Sequence, residues 1–257
     1  MQRSFNLFLG AAVLAPLCLV LGLLAVQLGY GGPLAPLRAL DDPSIRHAVW
    51  LSLATASIAA LAALVVAVPC AYALARGRFP GHWAVDVLLD LPIVLSPVAL
   101  GVSLLLLLRT SPGQWLEEHL VRFVFTVPGI ILAQFTVALA LAIRVLKATF
   151  QSVDVRYEQV ARFLGCGPWG VFRRVTLPLA RRGLAAAFVL AWARSLGEFG
   201  ATATLAGAVP GYTETMPVAI YLRLAAVDLD GAVGLMGLLA GSGLLALVVV
   251  RLLGRRR

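Results

Sequence analysis

Polar chemistry is scarce in this chain. Lysine occurs once, at Lys147, among 21 basic residues; cysteine and histidine occur three times each; Asp and Glu together number 12. A phosphate-cradling loop needs a glycine-rich turn ending in Gly-Lys-Ser or Gly-Lys-Thr. Lys147 follows Arg144-Val145-Leu146 instead, so any ATP that drives this protein is bound and hydrolysed on another chain. No cofactor site is expected. Cys18, Cys70 and Cys166 lie far apart, with neither a disulfide framework nor metal spacing. His47, His82 and His119 are isolated at expected membrane–water boundaries, which excludes a clustered metal site. No nucleophile, base and orienting group fall together, so the chain is not an enzyme by itself.

What is present is apolar. The chain of 257 residues is 61% hydrophobic and 13% charged, with a mean hydropathy of +0.94. A soluble domain cannot hide that much apolar surface. The composition predicts an all-α, polytopic membrane protein in the lipid bilayer, a single transmembrane domain over 1–257. Six spans can be drawn, at about 5–28, 47–74, 84–108, 123–146, 182–206 and 232–252. The first is too long for a signal-peptide core and has no small-x-small cleavage site before Gln27, so it reads as a retained helix.

Charge orients the spans. With both termini in the cytoplasm, 15 of the 21 basic residues face inward, as the positive-inside rule requires. Most acids then fall outside, among them Asp41, Asp42, Glu214, Asp228 and Asp230. The net charge of +9 is thus distributed by topology. It does not point to nucleic acid, because no soluble domain presents it.

One stretch breaks the apolar pattern. Arg144 to Arg182 carries eight basic residues and is too regular for a linker. Asp154 is an N-cap signal, and helical spacing follows, with Val160, Phe163 and Leu164 on one face. Gly165 is a helix stop that calls for a left-handed conformation. Gly167-Pro168 then caps and starts a second short helix to Val175, which Leu177-Pro178 ends as it opens the next span. This plan suits the docking of a cytoplasmic partner by the loop at about 147–181. An amphipathic loop lying on the membrane is the other reading.

The loop resembles the EAA signature of the membrane subunits of bacterial and archaeal ABC importers. Gln159, Val160, Ala161 and Gly165, then Leu177-Pro178, occupy its positions; Gln159 and Val160 stand where the family has Glu and Ala. The phrase from Gly167-Pro168-Trp169 to Leu179-Ala180 extends the likeness, which covers roughly residues 45 to 250. A second phrase, Ala193 to Thr202 (ARSLGEFGAT), with Glu214 to Tyr221, looks like the molybdate and tungstate permeases, and sulfate permeases carry a similar stretch. The resemblance implies a type I ABC importer permease fold with six transmembrane helices in the cell membrane. It implies a second copy of the chain, two ABC ATPase subunits that bind the ATP, and an extracytoplasmic oxyanion-binding protein. The coupling residues it implies are Glu158, Gln159, Ala161, Phe163, Leu164, Gly165, Pro168, Phe172 and Pro178.

Within the spans, Arg194 and Glu198 lie one helical turn apart. Their pairing reduces the cost of each charge in the bilayer. They are either a structural lock or, with Ser195 and Thr202, part of a translocation path or gate. On a continuous helix, 195, 202 and 206 share a face. Pro92 and Pro97 interrupt the third span, as a simple kink or as part of a path. Gly234, Gly237, Gly241 and Gly243 read as a close-packing face. Trp50, Trp83, Trp115 and Trp169 fall at interfaces, and Trp192 inside the fifth span. The alternatives are a sulfate permease, and a proton-coupled secondary transporter using Glu198.

Overall fold

The computed structural model describes residues 2–77 and 79–255; for 2–10 and 253–255 it gives backbone only. Helix follows helix along the chain: α1 (Gln2–Gly31), α2 (Ala35–Ala39), α3 (Pro43–Arg76), α4 (His82–Val94), α5 (Pro97–Leu108), α6 (Ser111–His119) and α7 (Val127–Ser152). After these come α8 (Val155–Phe163), α9 (Pro168–Val171), α10 (Leu177–Leu196), α11 (Gly200–Ala206), α12 (Met216–Ala225) and α13 (Leu229–Arg255). Five stretches within this series are long and apolar enough to cross a membrane, six if α4 and α5 count as one bent span. The expected spans at about 5–28, 47–74, 123–146 and 232–252 correspond to α1, α3, α7 and α13, each extended at one or both ends. Lys147 belongs to α7, so the polar loop begins later than the charge pattern suggests.

The core is built on α3 and α7, with α10 laid against both. Its seam is alanine. Ala60, Ala63, Ala67 and Ala71 of α3 meet Ala138 and Ala142 of α7 and Ala180, Ala187 and Ala191 of α10, all buried. Small residues let helix backbones approach closely where lipid offers no hydrophobic drive. A Cβ on Gly183 of α10 would lie 2.1 Å from Thr149 Cγ2 of α7, so that crossing requires glycine. By contrast, no residue in the most apolar stretch of α1 (Ala11–Gly31) is buried.

Two of the expected spans are broken. The third, drawn over 84–108, is two helices meeting at 113°. Pro92 is absorbed inside α4. The break comes at Leu95–Ser96, where Ser96 caps α5 by accepting the Ala99 amide at 3.3 Å, because the residue before Pro97 is pushed to extended backbone. The fifth, drawn over 182–206, starts earlier and ends at Leu196; α11 begins only at Gly200. Ser195, Thr202 and Ala206 therefore do not share one continuous helix face. The two breaks meet each other. A Cβ on Gly200 would lie 2.9 Å from the Val98 amide nitrogen, and one on Gly101 would lie 3.0 Å from Ala201 Cα.

The expected stop at Leu177-Pro178 is also absent. From α9 the chain passes through a π-helical turn, Phe172–Thr176, straight into α10. Proline brings no N–H to the ladder, and the wider turn absorbs that loss. The glycine face of α13 is partial. Gly234 and Gly237 press on Ala39 and Pro36 of α2, whereas nothing lies within 4 Å of a Cβ at Gly241 or Gly243.

Candidate functional site

The segment between α7 and α10 forms a rigid corner. Asp154 accepts the Arg156 amide at 2.9 Å and starts α8. At the far end Gly165 has φ +87°. Its amide reaches Arg162 O at 3.0 Å, and the Cys166 amide reaches Ala161 O at 3.0 Å, the paired bonds of a glycine-terminated helix. Gly167 and Pro168 then start α9.

This corner divides its residues into two sets. Phe163 is 92% exposed and Leu164 80%; Gln159, Gly165 and Pro168 also face outward, as does Pro178 on α10. Val160 and Trp169 complete the apolar edge. Glu158, Ala161 and Phe172 are buried, so Phe172 is not part of the exposed apolar edge and the other two face inward behind it. Glu158 Oε1 accepts from Arg76 Nε and Thr176 Oγ1, each at 3.0 Å. Arg76 also donates to Val153 O at 2.6 Å. Phe172 packs on Tyr72 with ring centroids 4.7 Å apart. These contacts fasten the corner to the end of α3.

A second polar group lies at the paired breaks. Arg194 Nη1 comes within 2.7 Å of Glu198 Oε2, with Arg194 37% exposed and Glu198 fully buried. Glu198 sits in the gap between α10 and α11, and its Oε1 accepts the Ala201 amide at 3.0 Å. It thereby restrains the start of α11. A cavity of about 230 Å³ adjoins Arg194 and is otherwise lined by apolar side chains of α4, α5 and α7, with Leu95 between α4 and α5. Ser195 and Thr202 are buried, and their hydroxyls find no partner among the described residues. Trp192 is satisfied differently, donating to Ser57 Oγ at 3.0 Å.

Two ionic groups escaped the sequence reading. On α4, Asp86 takes both oxygens to Lys147 Nζ of α7 at 2.6 and 2.7 Å, and Asp90 lies 3.5 Å from Arg144. The signal was there in acids four apart facing bases three apart, each set on one helix face. At the opposite end of the bundle, Arg223 of α12 meets Asp42 and Asp228, each at 2.5 Å. The Ser44 hydroxyl, followed by Arg223, holds the Asp42 carboxyl below its ordinary value. For Asp228 the Gly231 amide comes first, then Arg223.

The family model described as binding-protein-dependent transport system inner membrane component matches residues 63–257. The chain belongs to this family. Among its relatives is the molybdenum transport system permease protein ModB of Escherichia coli K12, 42% identical over 185 residues, which are 71% of this chain and 80% of that one. ModB of Mycobacterium tuberculosis is 39% identical over 198 residues, 76% and 75% of the two chains. The sulfate transport system permease protein CysW of E. coli K12 is 36% identical over 199 residues, 77% and 68%. In three dimensions the chain resembles a bacterial ABC transporter that imports the acidic polysaccharide alginate, with a TM-score of 0.74 at 17% identity, covering 98% of this chain and 95% of that one. That likeness concerns the fold. The protein is an ABC importer permease subunit, a multi-pass inner-membrane protein and not an enzyme.

Proposed function

We propose that this permease carries a tetrahedral oxyanion, molybdate or tungstate, inward across the membrane as a pair of identical subunits. An extracytoplasmic binding protein delivers the anion, and two ABC ATPase subunits dock on the α8–α9 corners, which lie in the cytoplasm with both termini. The observation that carries the coupling is the exposure of Phe163 and Leu164 on a corner otherwise fixed by buried Glu158 and Phe172. Apolar side chains that stand out from a rigid mount fit a groove on a partner. ModB relatives at 42% identity support the anion. The pairing of subunits draws support from the break at Ser96, which is exposed: interrupted backbone at membrane depth must face protein or water, not lipid. Arg194, Glu198, Ser195 and Thr202 then border the path. A sulfate permease is the second reading, favoured by CysW at 36% identity. The proton-coupled alternative is not kept, since Glu198 is engaged by Arg194 and the Ala201 amide in a binding-protein-dependent family.

The test is ATPase activity of the complex reconstituted with its own ATPase and binding protein. Molybdate or tungstate should stimulate it several-fold, and sulfate little. Stimulation by sulfate alone would move the assignment to sulfate, and stimulation only by a sugar or amino acid would refute the oxyanion reading.

A further inference from the structure

Arg194 lies twelve residues beyond Arg182, about 18 Å along the helix at 1.5 Å per residue. With Arg182 taken as the cytoplasmic rim of the span, that is past the middle of a hydrocarbon core of roughly 30 Å. At this depth a guanidinium needs partners for five N–H donors. The structure supplies one close contact, Glu198 Oε2 at 2.7 Å, and that contact lacks hydrogen-bond alignment. Among the described residues no other acceptor meets Arg194. The rest of the group opens on the cavity of about 230 Å³ under the elbow between α4 and α5, whose other walls are Pro92, Ile93, Leu95, Pro97, Val137 and Leu141.

We propose that this cavity is an intramembrane subsite for the tetrahedral oxyanion, with Arg194 as its ligand and Glu198 as a built-in counter-anion. This rests on the oxyanion reading above and adds to it the place where the anion pauses. The planar donor edge of arginine matches two oxygens of a tetrahedral anion. One cationic group in apolar walls rejects cations and offers a sugar too few hydrogen bonds. Glu198 settles how tightly the anion is held. Entering these apolar walls costs the dianion its hydration, and the attraction of the arginine repays part of that cost. Glu198, fixed by the Ala201 amide at 3.0 Å, offsets that attraction and takes the guanidinium back when the anion departs. Conduction needs such weak holding. Arg194, on the last turn of α10 and partly exposed, is the partner free to turn.

Uptake of radiolabelled molybdate per ATP hydrolysed, in proteoliposomes holding the complete transporter, is the readout. Leu141→Asp places a negative charge in the cavity while leaving Arg194 and Glu198 in place; Leu141→Asn changes polarity without charge. The aspartate variant should lose at least tenfold in uptake per ATP, the asparagine variant less than threefold. Arg194→Gln combined with Glu198→Gln, which keeps the site neutral, should lose at least tenfold if it assembles. Equal uptake by Leu141→Asp and Leu141→Asn would overturn the subsite, whether or not the double variant assembles. Parental uptake per ATP by an assembled double variant would also overturn it. If the unmodified transporter imports no molybdate, tungstate or sulfate, the oxyanion reading itself has failed, and the subsite with it.

Discussion

At Glu158 a carboxylate shut away from water meets Arg76 from a helix 82 positions earlier and Thr176 from 18 positions later. Removing one side of a buried pair leaves the other charge uncompensated. Glu158→Ala should therefore destabilise the protein by on the order of 3 kcal/mol, read as a lowered midpoint of thermal unfolding in detergent, with Glu158→Gln between it and the parent. An unchanged midpoint for the alanine variant would show that the corner is held by its aromatic contacts alone. Local residues in this loop were legible beforehand. Asp154 and Gly165 carry their conformations in their own chemistry, as cap and left-handed stop. Glu158 was not, because its burial depends on Arg76 and Tyr72, which no spacing within the loop reveals. The place of Phe172 is hidden for the same reason: its hydrophobicity fits an exposed edge as well as a core, and only its packing with Tyr72 and Phe150 decides between them.

Among elements, the six apolar runs were legible because a membrane span is a matter of length and hydropathy. The breaks were half legible. Pro92 and Pro97 announced an interruption, and Pro97 determined its position by acting on Ser96. The gap at Gly197–Phe199 has no proline, and apolar residues flank Glu198 on both sides of it, so it reads as one span until Gly200 is seen against Val98. The ends of α2, α3, α12 and α13 show a further tie, since Arg223 joins Asp42 at the start of α3 to Asp228 before α13. Both carboxyls titrate below their ordinary values. Their contribution to stability is therefore fully present above the unfolded carboxylate range, near pH 4, and is lost as pH falls through the depressed values. The unfolding midpoint should hold between pH 5 and 8 and drop below about pH 4. In Arg223→Gln the acid-side drop should be smaller. The same drop in both proteins would mean that Arg223 does not set these two carboxyls.

For the whole molecule, charge asymmetry predicts orientation. Cys166, next to Gly165 on the α8–α9 corner, is partly exposed and serves as the reporter. A membrane-impermeant thiol reagent should leave it unlabelled in intact cells and label it in inverted vesicles; labelling from outside would reverse the assignment of both termini. The alanine seam of α3, α7 and α10 has a mechanical meaning as well. Alanine has no rotamers, so a contact made of alanines cannot slide by small side-chain adjustments; it is either seated or apart. Three helices joined this way are expected to move as one block. Whatever motion import requires is then displaced to places where the chain is already interrupted, the elbow at Ser96 and the gap around Glu198. The alanine-seamed block thus points to those two joints as the places where bending is expected.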